Sequence, residues 1–351
     1  MTRRIARLLA ITLVWTACSD ALEQTSSAGQ VIGVVNSSDR TLSLISATDF
    51  SVSTRSWQSG NANPTTIGGS GNTFVVPLGP ADAVGIDLLP GPCPPRALCR
   101  NPDYVIPLAT GSGATGVAIQ DDSIAWVANP NLNSVTRLNY LSGDTASIAV
   151  GEHPLAIAIL GTRVFVVNAN LIGGSPAGPS WLTSFDCCGV RTPDSIPLTG
   201  TNARFAVVGD DSLLYVVAAG HAGAADGKLS IVDPVGRTEV AVLNGLGESP
   251  GAAAFHPTGG RLLVASLTEG ILEVNTATRS VTRGPGNGVK PGGHGVSGLA
   301  IDLRGRVYAV DPGACAAAGT VHVLTAPPNY SEIQTLGVGV CPATAAVAAT
   351  P

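Results

Sequence analysis

Four side chains of this sequence have the chemistry to hold a divalent ion or to act as acid and base. They are the imidazoles of His153 and His294 and the carboxylates of Glu152 and Glu248. Imidazole and carboxylate groups together are common ligands of a divalent metal. The same groups could supply a general base and an electrostatic stabiliser for the opening of a lactone. All four stand beside Gly or Pro in loop-like segments, where polar residues are also frequent simply because loops are solvated.

The elements that would position these loops are pairs of short apolar runs that recur along the chain. The clearest copy is residues 151–170, GEHPLAIAILGTRVFVVNAN, and related pairs occupy 116–129, 204–218, 251–266 and 298–311. The second runs end at Asn36, Pro77, Asn129, Asn168, Ala218, Ser266 and Asp311. These ends are spaced by about 46 residues on average, which is the repeat length of a four-stranded propeller blade.

Each repeat continues with two more runs that alternate polar and apolar residues, as half-buried strands do. Seven such units account for the chain from residue 31 onward, and a miscount of one would give six or eight. No apolar strand precedes the first unit, but an unpartnered run, ATAAVAA, occupies residues 343–349. We therefore predict an all-β fold, a seven-bladed β-propeller of four-stranded antiparallel blades. The C-terminal strand would complete blade 1 and so close the ring, which protects the sheet edges.

In a propeller, the loops that enter each first strand surround one mouth of the central channel, beside the loops that join second and third strands. We expect the four candidate residues on this loop face. Three further polar residues are expected with them, at Asn63, Asn202 and Lys290. The long loops 169–180, 219–227 and 312–319 would lie on the same face.

The ends of three second runs carry a recognisable pattern: Trp126-Val-Ala-Asn129, Phe165-Val-Val-Asn168 and Tyr215-Val-Val-Ala218. This resembles the YVTN family of β-propeller repeats, named for an aromatic-Val-Thr-Asn run, and the resemblance covers nearly all of residues 31–349. It implies a propeller of the kind found in surface-layer and cell-envelope proteins. Related propellers include lactonases and a lyase, so the fold alone does not decide the function.

The N-terminal segment has the features of an export signal. Arg3, Arg4 and Arg7 precede an apolar stretch that is too short to span a membrane, and small residues follow it. We predict a signal peptide over 1–18, a polar tether over 19–30 and a single propeller domain over 31–351. Ala17-Cys18-Ser19 resembles a bacterial lipobox, which would make Cys18 the lipidated first residue of a periplasmic or outer-surface lipoprotein. Trp15 stands where that motif usually has Leu, so cleavage by an ordinary signal peptidase remains an alternative.

Six cysteines remain when Cys18 is set aside, an even number that indicates disulfides in an exported protein. Cys315 and Cys341 lie in loops on one face of the last blade, and we predict that they pair. Cys93 and Cys99 share a Pro-rich excursion and are expected to pair locally. For the adjacent Cys187 and Cys188 we expect a vicinal disulfide, with a redox switch or free thiols as alternatives.

Charge narrows the classes of partner. Charged residues make up 12% of the chain, the formal net charge is -5 and no basic block occurs, which argues against nucleic-acid binding. There is no GxSxG elbow and no phosphate-binding loop. We expect a monomeric, non-enzymatic binding or scaffold module without a cofactor, anchored to the membrane only by its lipid. Its loop face would bind a protein or a cell-envelope glycan. The alternative is a hydrolase or lyase of lactone-like substrates with a divalent metal at the channel mouth.

Overall fold

Seven four-stranded antiparallel sheets build the molecule, arranged around a central channel as a β-propeller. The computed structural model describes residues 29–57, 63–89, 104–189 and 193–349. Within these ranges the regular helical structure is two short 3-10 turns, Pro130–Leu132 and Pro291–Gly293. The predicted all-β class, the seven blades and their four-stranded antiparallel construction are confirmed.

The blades follow one another along the chain, and each runs from an innermost to an outermost strand. From inside to outside, blade 1 consists of β30 (Pro342–Ala349), β1 (Gln30–Asn36), β2 (Thr41–Ser46) and β3 (Val52–Ser56). Blade 2 consists of β4 (Gly68–Ser70), β5 (Thr73–Leu78), β6 (Ala83–Leu88) and β7 (Tyr104–Pro107). Blade 3 consists of β8 (Val117–Ile119), β9 (Ile124–Asn129), β10 (Ser134–Asn139) and β11 (Thr145–Ala149).

Blade 4 is interrupted by a small hairpin, β14 (Leu171–Ile172) and β15 (Ser175–Pro176). Its four main strands are β12 (Pro154–Leu160), β13 (Arg163–Asn168), β16 (Pro179–Asp186) and β17 (Asp194–Thr201). Blade 5 consists of β18 (Ala203–Val208), β19 (Leu214–Ala218), β20 (Lys228–Asp233) and β21 (Thr238–Asn244). Blade 6 consists of β22 (Pro250–Phe255), β23 (Arg261–Ser266), β24 (Gly270–Asn275) and β25 (Ser280–Arg283). Blade 7 consists of β26 (Gly298–Ile301), β27 (Val307–Asp311), β28 (Ala318–Leu324) and β29 (Glu332–Val340).

The core lies between neighbouring blades rather than at one centre. In β13, the run RVFVVN is buried at every residue after the first, because each face of the sheet packs on an adjacent blade. Phe165 and Leu182 of blade 4, for example, share a cluster with Leu214 and Val216 of blade 5. Full burial of one such side chain stabilises the fold by about 1.5–3 kcal/mol. The outermost strands are largely exposed, as in β3.

The ring is closed as the sequence predicts. Strand β30 pairs antiparallel with β1 over its whole length, with Ala348 opposite Val31 and Ala346 opposite Gly33. Its small residues suit the innermost position, where seven strands converge on the channel. Two side chains add bonds across the seam between blades 7 and 1: Gln30 Oε1 accepts from the backbone N–H of Leu303, and Arg306 donates to the carbonyl of Ala47.

The Asn that ends a second strand joins it to the third strand. Asn168 Nδ2 donates to Thr183 Oγ1 at 2.9 Å, and both residues are buried in blade 4. The same arrangement recurs in blades 1 and 3, where Asn36 donates to Thr41 and Ser43, and Asn129 donates to Ser134 and Thr136. The residue that characterises the repeat therefore has a structural role.

The disulfide between Cys315 and Cys341 is present, as predicted. The sulfur atoms of Cys187 and Cys188 are 2.6 Å apart and not bonded to each other, so a disulfide there stays a prediction. Cys18, Cys93 and Cys99 lie outside the described residues, as do the signal peptide and residues 19–28 of the tether. No helix in the described part of the chain has the length and apolar composition needed to cross a membrane.

Candidate functional site

A cavity of about 500 Å³ opens at the mouth of the channel, where the innermost strands begin. Every blade contributes to its wall. One equivalent position in each blade, taken from blade 1 to blade 7, supplies Ala343, Thr65, Thr115, Leu155, Arg204, Gly251 and Ser297. The volume is typical of a pocket for a small ligand.

Breaks in strand pairing coincide with these positions in blades 1, 4, 5 and 6. In blade 5, Ala203 pairs with Ala218 and Phe205 pairs with Val217, so Arg204 has no opposite residue. Leu155 of blade 4 is skipped in the same way. Such a β-bulge redirects the side chain of the extra residue, and bulges are frequent next to binding sites.

Of the residues that the structure describes, Arg204 is the one Lys or Arg in the cavity wall. Its Nε donates to Asn202 Oδ1 at 3.1 Å, and Asn202 is itself buried and fixed by a bond from Nδ2 to the carbonyl of Gly220. Among the described residues, no carboxylate forms an ion pair with this guanidinium. Arg204 is exposed to solvent at the cavity opening. Desolvation by the neighbouring protein lowers the pKa of Arg204, but a guanidinium remains charged at neutral pH. The cavity therefore holds a positive charge without a protein counter-ion.

His153 lies on the same wall and is half-buried. Its backbone has a left-handed φ of 53°, and its N–H donates to Asn133 Oδ1 at 2.9 Å. Burial lowers the pKa of the imidazole and the nearby positive charge of Arg204 lowers it further, while Glu152 opposes both effects. The imidazole is consequently neutral at pH 7.

The other three predicted site residues do not line the cavity. Glu152 is exposed and accepts from Asn133 Nδ2 at 2.8 Å. Glu248 is engaged through its backbone carbonyl, which accepts bonds from Ser266 and Thr268. His294 is exposed and lies 2.8 Å from Asp311, measured from Nδ1 to Oδ2. The structure thus brings one of the four predicted residues, His153, into the cavity.

His294 belongs to a polar network inside blade 7. Asp311 occupies the place that Asn168 has in blade 4, and His322 stands in the register position of Thr183. The Nε2 atom of His322 lies 3.8 Å from Asp311 Oδ2, and its Nδ1 lies 3.4 Å from Glu332 Oε2. An acid and a histidine here replace the amide–hydroxyl pair of blades 1, 3 and 4.

One group of three metal-ligand side chains occurs in the described part of the chain, at Asp186, Cys187 and Cys188. It follows the third strand of blade 4, on the face opposite the channel mouth. Burial and the neighbouring Cys188 raise the pKa of Cys187 to about 11. A thiol with a raised pKa is a poor nucleophile and a poor metal ligand at neutral pH.

Of the three predicted long loops, the one in blade 4 reaches the cavity. Its hairpin, β14–β15, places Leu171 and Gly174 in the cavity wall, while Ile172 at its edge is 73% exposed. In the loop 219–227, His221 and Asp226 pair with each other at 2.7 Å. Asn63 and Lys290 do not line the cavity.

Arg204 was not among the predicted site residues, although the sequence contains a signal for it. The inner strands of the other blades begin with Ala, Thr, Leu, Gly or Ser at the equivalent position, so a single Arg stands out once the repeats are aligned there. Alignment on the ends of the second strands does not reveal this, because the distance along the chain between the two positions differs among blades: 13 residues from Leu155 to Asn168, 14 from Arg204 to Ala218 and 15 from Gly251 to Ser266.

No protein-family model matches this chain, and no curated protein sequence matches it either. The resemblance to YVTN repeats accordingly remains a prediction. Similar solved structures do exist. Hydrazine synthase from Kuenenia stuttgartiensis is 14% identical, with a TM-score of 0.63 over 80% of this chain and 88% of that one. A functionally unknown protein from Desulfotomaculum acetoxidans is also 14% identical, with a TM-score of 0.65 over 92% and 99%.

AztD from Citrobacter koseri is a third similar structure, 12% identical, with a TM-score of 0.59 over 92% of this chain and 98% of that one. At these identities a likeness reports the architecture and does not carry over a ligand or a reaction. By its own seven blades and by these structural neighbours, the chain has the β-propeller fold.

Proposed function

We propose that this protein is an exported, non-enzymatic binding module that acts through its channel-mouth face. The observation that carries the proposal is the open cavity to which all seven blades contribute. It has a ligand-sized volume and a positive charge without a counter-ion, whereas the residues with catalytic or metal-binding chemistry are distributed over separate parts of the fold. A site of this composition can hold a ligand but offers no acid–base pair to transform it.

The hydrolase or lyase alternative requires that His153 and His294 approach a common point on the channel axis. His294 instead pairs with Asp311 in blade 7, and His153 has no carboxylate bonded to its ring among the described residues. The binding function is therefore the better supported of the two.

The binding partner that we propose is a protein or a glycan of the cell envelope, reached by the channel-mouth face of a monomer. The chain would be held at the membrane surface by a lipid on Cys18, with no other membrane contact. Mass spectrometry of the mature protein tests this part: a diacylglyceryl-modified N-terminal Cys18 is the expected result. A mature chain that begins after an unmodified cleavage site would contradict the lipid anchor.

Two exposed aliphatic residues on opposite faces allow a matched test of the binding surface. Ile172 lies on the hairpin at the channel mouth and is 73% exposed, and Val235 lies in a turn of the other face and is 88% exposed. Cosedimentation of the full mature chain with purified cell-wall polysaccharide and with an extracted envelope-protein fraction measures binding. We expect Ile172→Asp to weaken binding at least fivefold and Val235→Asp to leave it unchanged.

Equal effects of the two substitutions would refute the assignment of the face. Absence of binding to either preparation would contradict the binding function itself. Metal-dependent turnover of a lactone by the same protein would favour the enzymatic alternative, and elemental analysis of the purified chain completes that comparison.

A further inference from the structure

We propose that the channel-mouth cavity binds a small organic monocarboxylate, whose carboxylate is held by the guanidinium of Arg204. This inference rests on the proposed function in that it assigns a ligand class to the same face. It is carried by three properties of the cavity: the free donors of Arg204, the balance of charge around them, and the apolar surface beside them.

The first property is the donor geometry. Arg204 uses Nε for its bond to Asn202, and its two terminal nitrogens have no hydrogen-bond partner among the described residues. A guanidinium presents its N–H groups in a planar fork that fits the two oxygens of a carboxylate. Because buried Asn202 holds one edge of the guanidinium, part of the ordering cost of binding is met before the ligand arrives.

The second property is charge. No Asp or Glu of the described ranges lines the cavity, and His153 is neutral at pH 7, so this part of the wall carries one positive charge, from Arg204. Glu152, the nearest acid to His153, is bonded to Asn133 outside the cavity. One cation matches a monoanion. A dianionic phosphate would bring two negative charges to this single cation and leave one of them unmatched.

The third property is the remaining surface. The larger apolar residues among those that line the cavity are Leu155 and Leu171 of blade 4, Ile67 of blade 2 and Phe205 of blade 5. Three threonines that line the cavity have hydroxyls that make no hydrogen bond to any described residue. They are Thr65, Thr115 and Thr344. An apolar body with at most a few polar substituents would bury its carbon surface on this wall and leave the hydroxyls available for those substituents.

The test uses the full mature chain and four simple probes of matched size or charge. Hexanoate, hexanol, hexylammonium and inorganic phosphate are titrated by calorimetry and by saturation-transfer NMR at pH 7.5. We expect hexanoate to bind at least about tenfold more tightly than each of the other three, since a charge-assisted hydrogen bond contributes roughly that factor or more. The contrast with hexanol isolates the carboxylate, and the contrast with phosphate tests the preference for a monoanion with an apolar body over a dianion without one.

Substitutions at one position locate the site. Arg204→Gln is expected to weaken hexanoate binding at least about tenfold. Arg204→Lys should weaken it by less, because an ammonium keeps the positive charge but lacks the planar pair of N–H donors. Arg137→Gln is the matched control: it removes the same charge from a half-buried position on β10 that does not line the cavity, and hexanoate affinity should stay within about twofold.

Hexanoate affinity unchanged by Arg204→Gln would overturn the proposal, as would absence of hexanoate binding. Phosphate binding as tight as hexanoate would also overturn it, and would indicate a general anion site. Thermal unfolding checks that the Arg204 variants are folded, and the four-probe comparison on the unsubstituted chain holds independently of them. If hexanoate does not bind but Ile172→Asp still weakens the binding of polysaccharide or protein, the proposed ligand class is wrong and the assignment of the binding face is supported.

Discussion

The amide nitrogen of Asn168 and the hydroxyl of Thr183 lie 2.9 Å apart in the interior of blade 4, where they join the second strand to the third. Asn168→Ala leaves Thr183 without this bond and creates a small cavity. We expect the free energy of unfolding to fall by about 1–3 kcal/mol. Urea unfolding followed by circular dichroism measures it.

The control for this substitution is Asn287→Ala, at an exposed residue whose side chain makes no hydrogen bond within the described residues. We expect it to change the stability by less than about 0.5 kcal/mol. Similar losses for the two variants would show that the Asn of the repeat pattern is not a structural amide.

Asp302 is a second position with a strong expected effect, because it is 1% exposed and accepts from several groups. Arg306 Nε donates to it at 2.6 Å, and the backbone N–H groups of Arg304 and Arg306 donate at 3.0 and 2.9 Å. Asp302→Ala would leave the largely buried Arg306 guanidinium without its counter-ion. Breaking a buried pair on one side costs about 3–5 kcal/mol of unfolding free energy.

The matched comparison is Asp194→Ala, which also removes a carboxylate paired with arginine. Asp194 is 28% exposed at the side chain and lies 3.0 Å from both Arg163 and Arg237. Solvent screens these pairs, so the expected loss is at most about 1 kcal/mol. A loss at Asp194 equal to that at Asp302 would contradict the ranking by burial.

The disulfide between Cys315 and Cys341 closes a loop with a sequence separation of 26 residues. In the loop-entropy model, a cross-link of this span stabilises the native state by about 3.5 kcal/mol. We expect the double variant Cys315→Ser, Cys341→Ser to unfold at a correspondingly lower urea concentration. Addition of a reductant should lower the stability of the unsubstituted protein and leave that of the double variant unchanged, and a further loss in the variant would point to a second stabilising disulfide.

His153 should make the protein less stable as the pH falls. The pKa of this imidazole in the native state is lowered by burial and by Arg204, so below about pH 6.5 the unfolded chain binds more protons than the native one. Stability therefore decreases as the pH drops from about 6.5 through the native pKa.

His153→Asn removes the titrating imidazole and introduces a residue type that tolerates the left-handed φ of 53°. The measurement is the urea midpoint at pH 7.5 and at pH 5.0. We expect the unsubstituted protein to lose more stability over this interval than the variant does. Equal losses would mean that His153 titrates as it does in the unfolded chain.

Much of the fold could be predicted from the sequence because every blade has the same arrangement of strands and therefore a similar pattern of buried residues. The second strands bury nearly every residue between two neighbours, which gives runs such as RVFVVN, and the innermost strands must be small, which identifies residues 343–349 as the missing first strand. The Cys315–Cys341 pair followed from the same placement of loops on faces.

The site was harder to predict for a physical reason. Residue type alone placed His153 and His294 in one group, yet whether a loop side chain points to the axis or into its own blade depends on its local partners. Asp311 holds His294 in blade 7, and a one-residue bulge turns Arg204 to the channel. Neither effect is visible in the spacing of polar residues along the chain.

The position of β30 has a consequence for how the protein is made. Blade 1 takes its innermost strand from the far end of the propeller. Strand β1 is synthesised before the rest of the propeller, so it has no inner neighbour until residues 342–349 have emerged. During that interval its hydrogen-bonding edge is open to pairing with other chains. A chain interrupted before β30 keeps that edge permanently, and a cellular quality-control system could tell it from a finished molecule by this one strand.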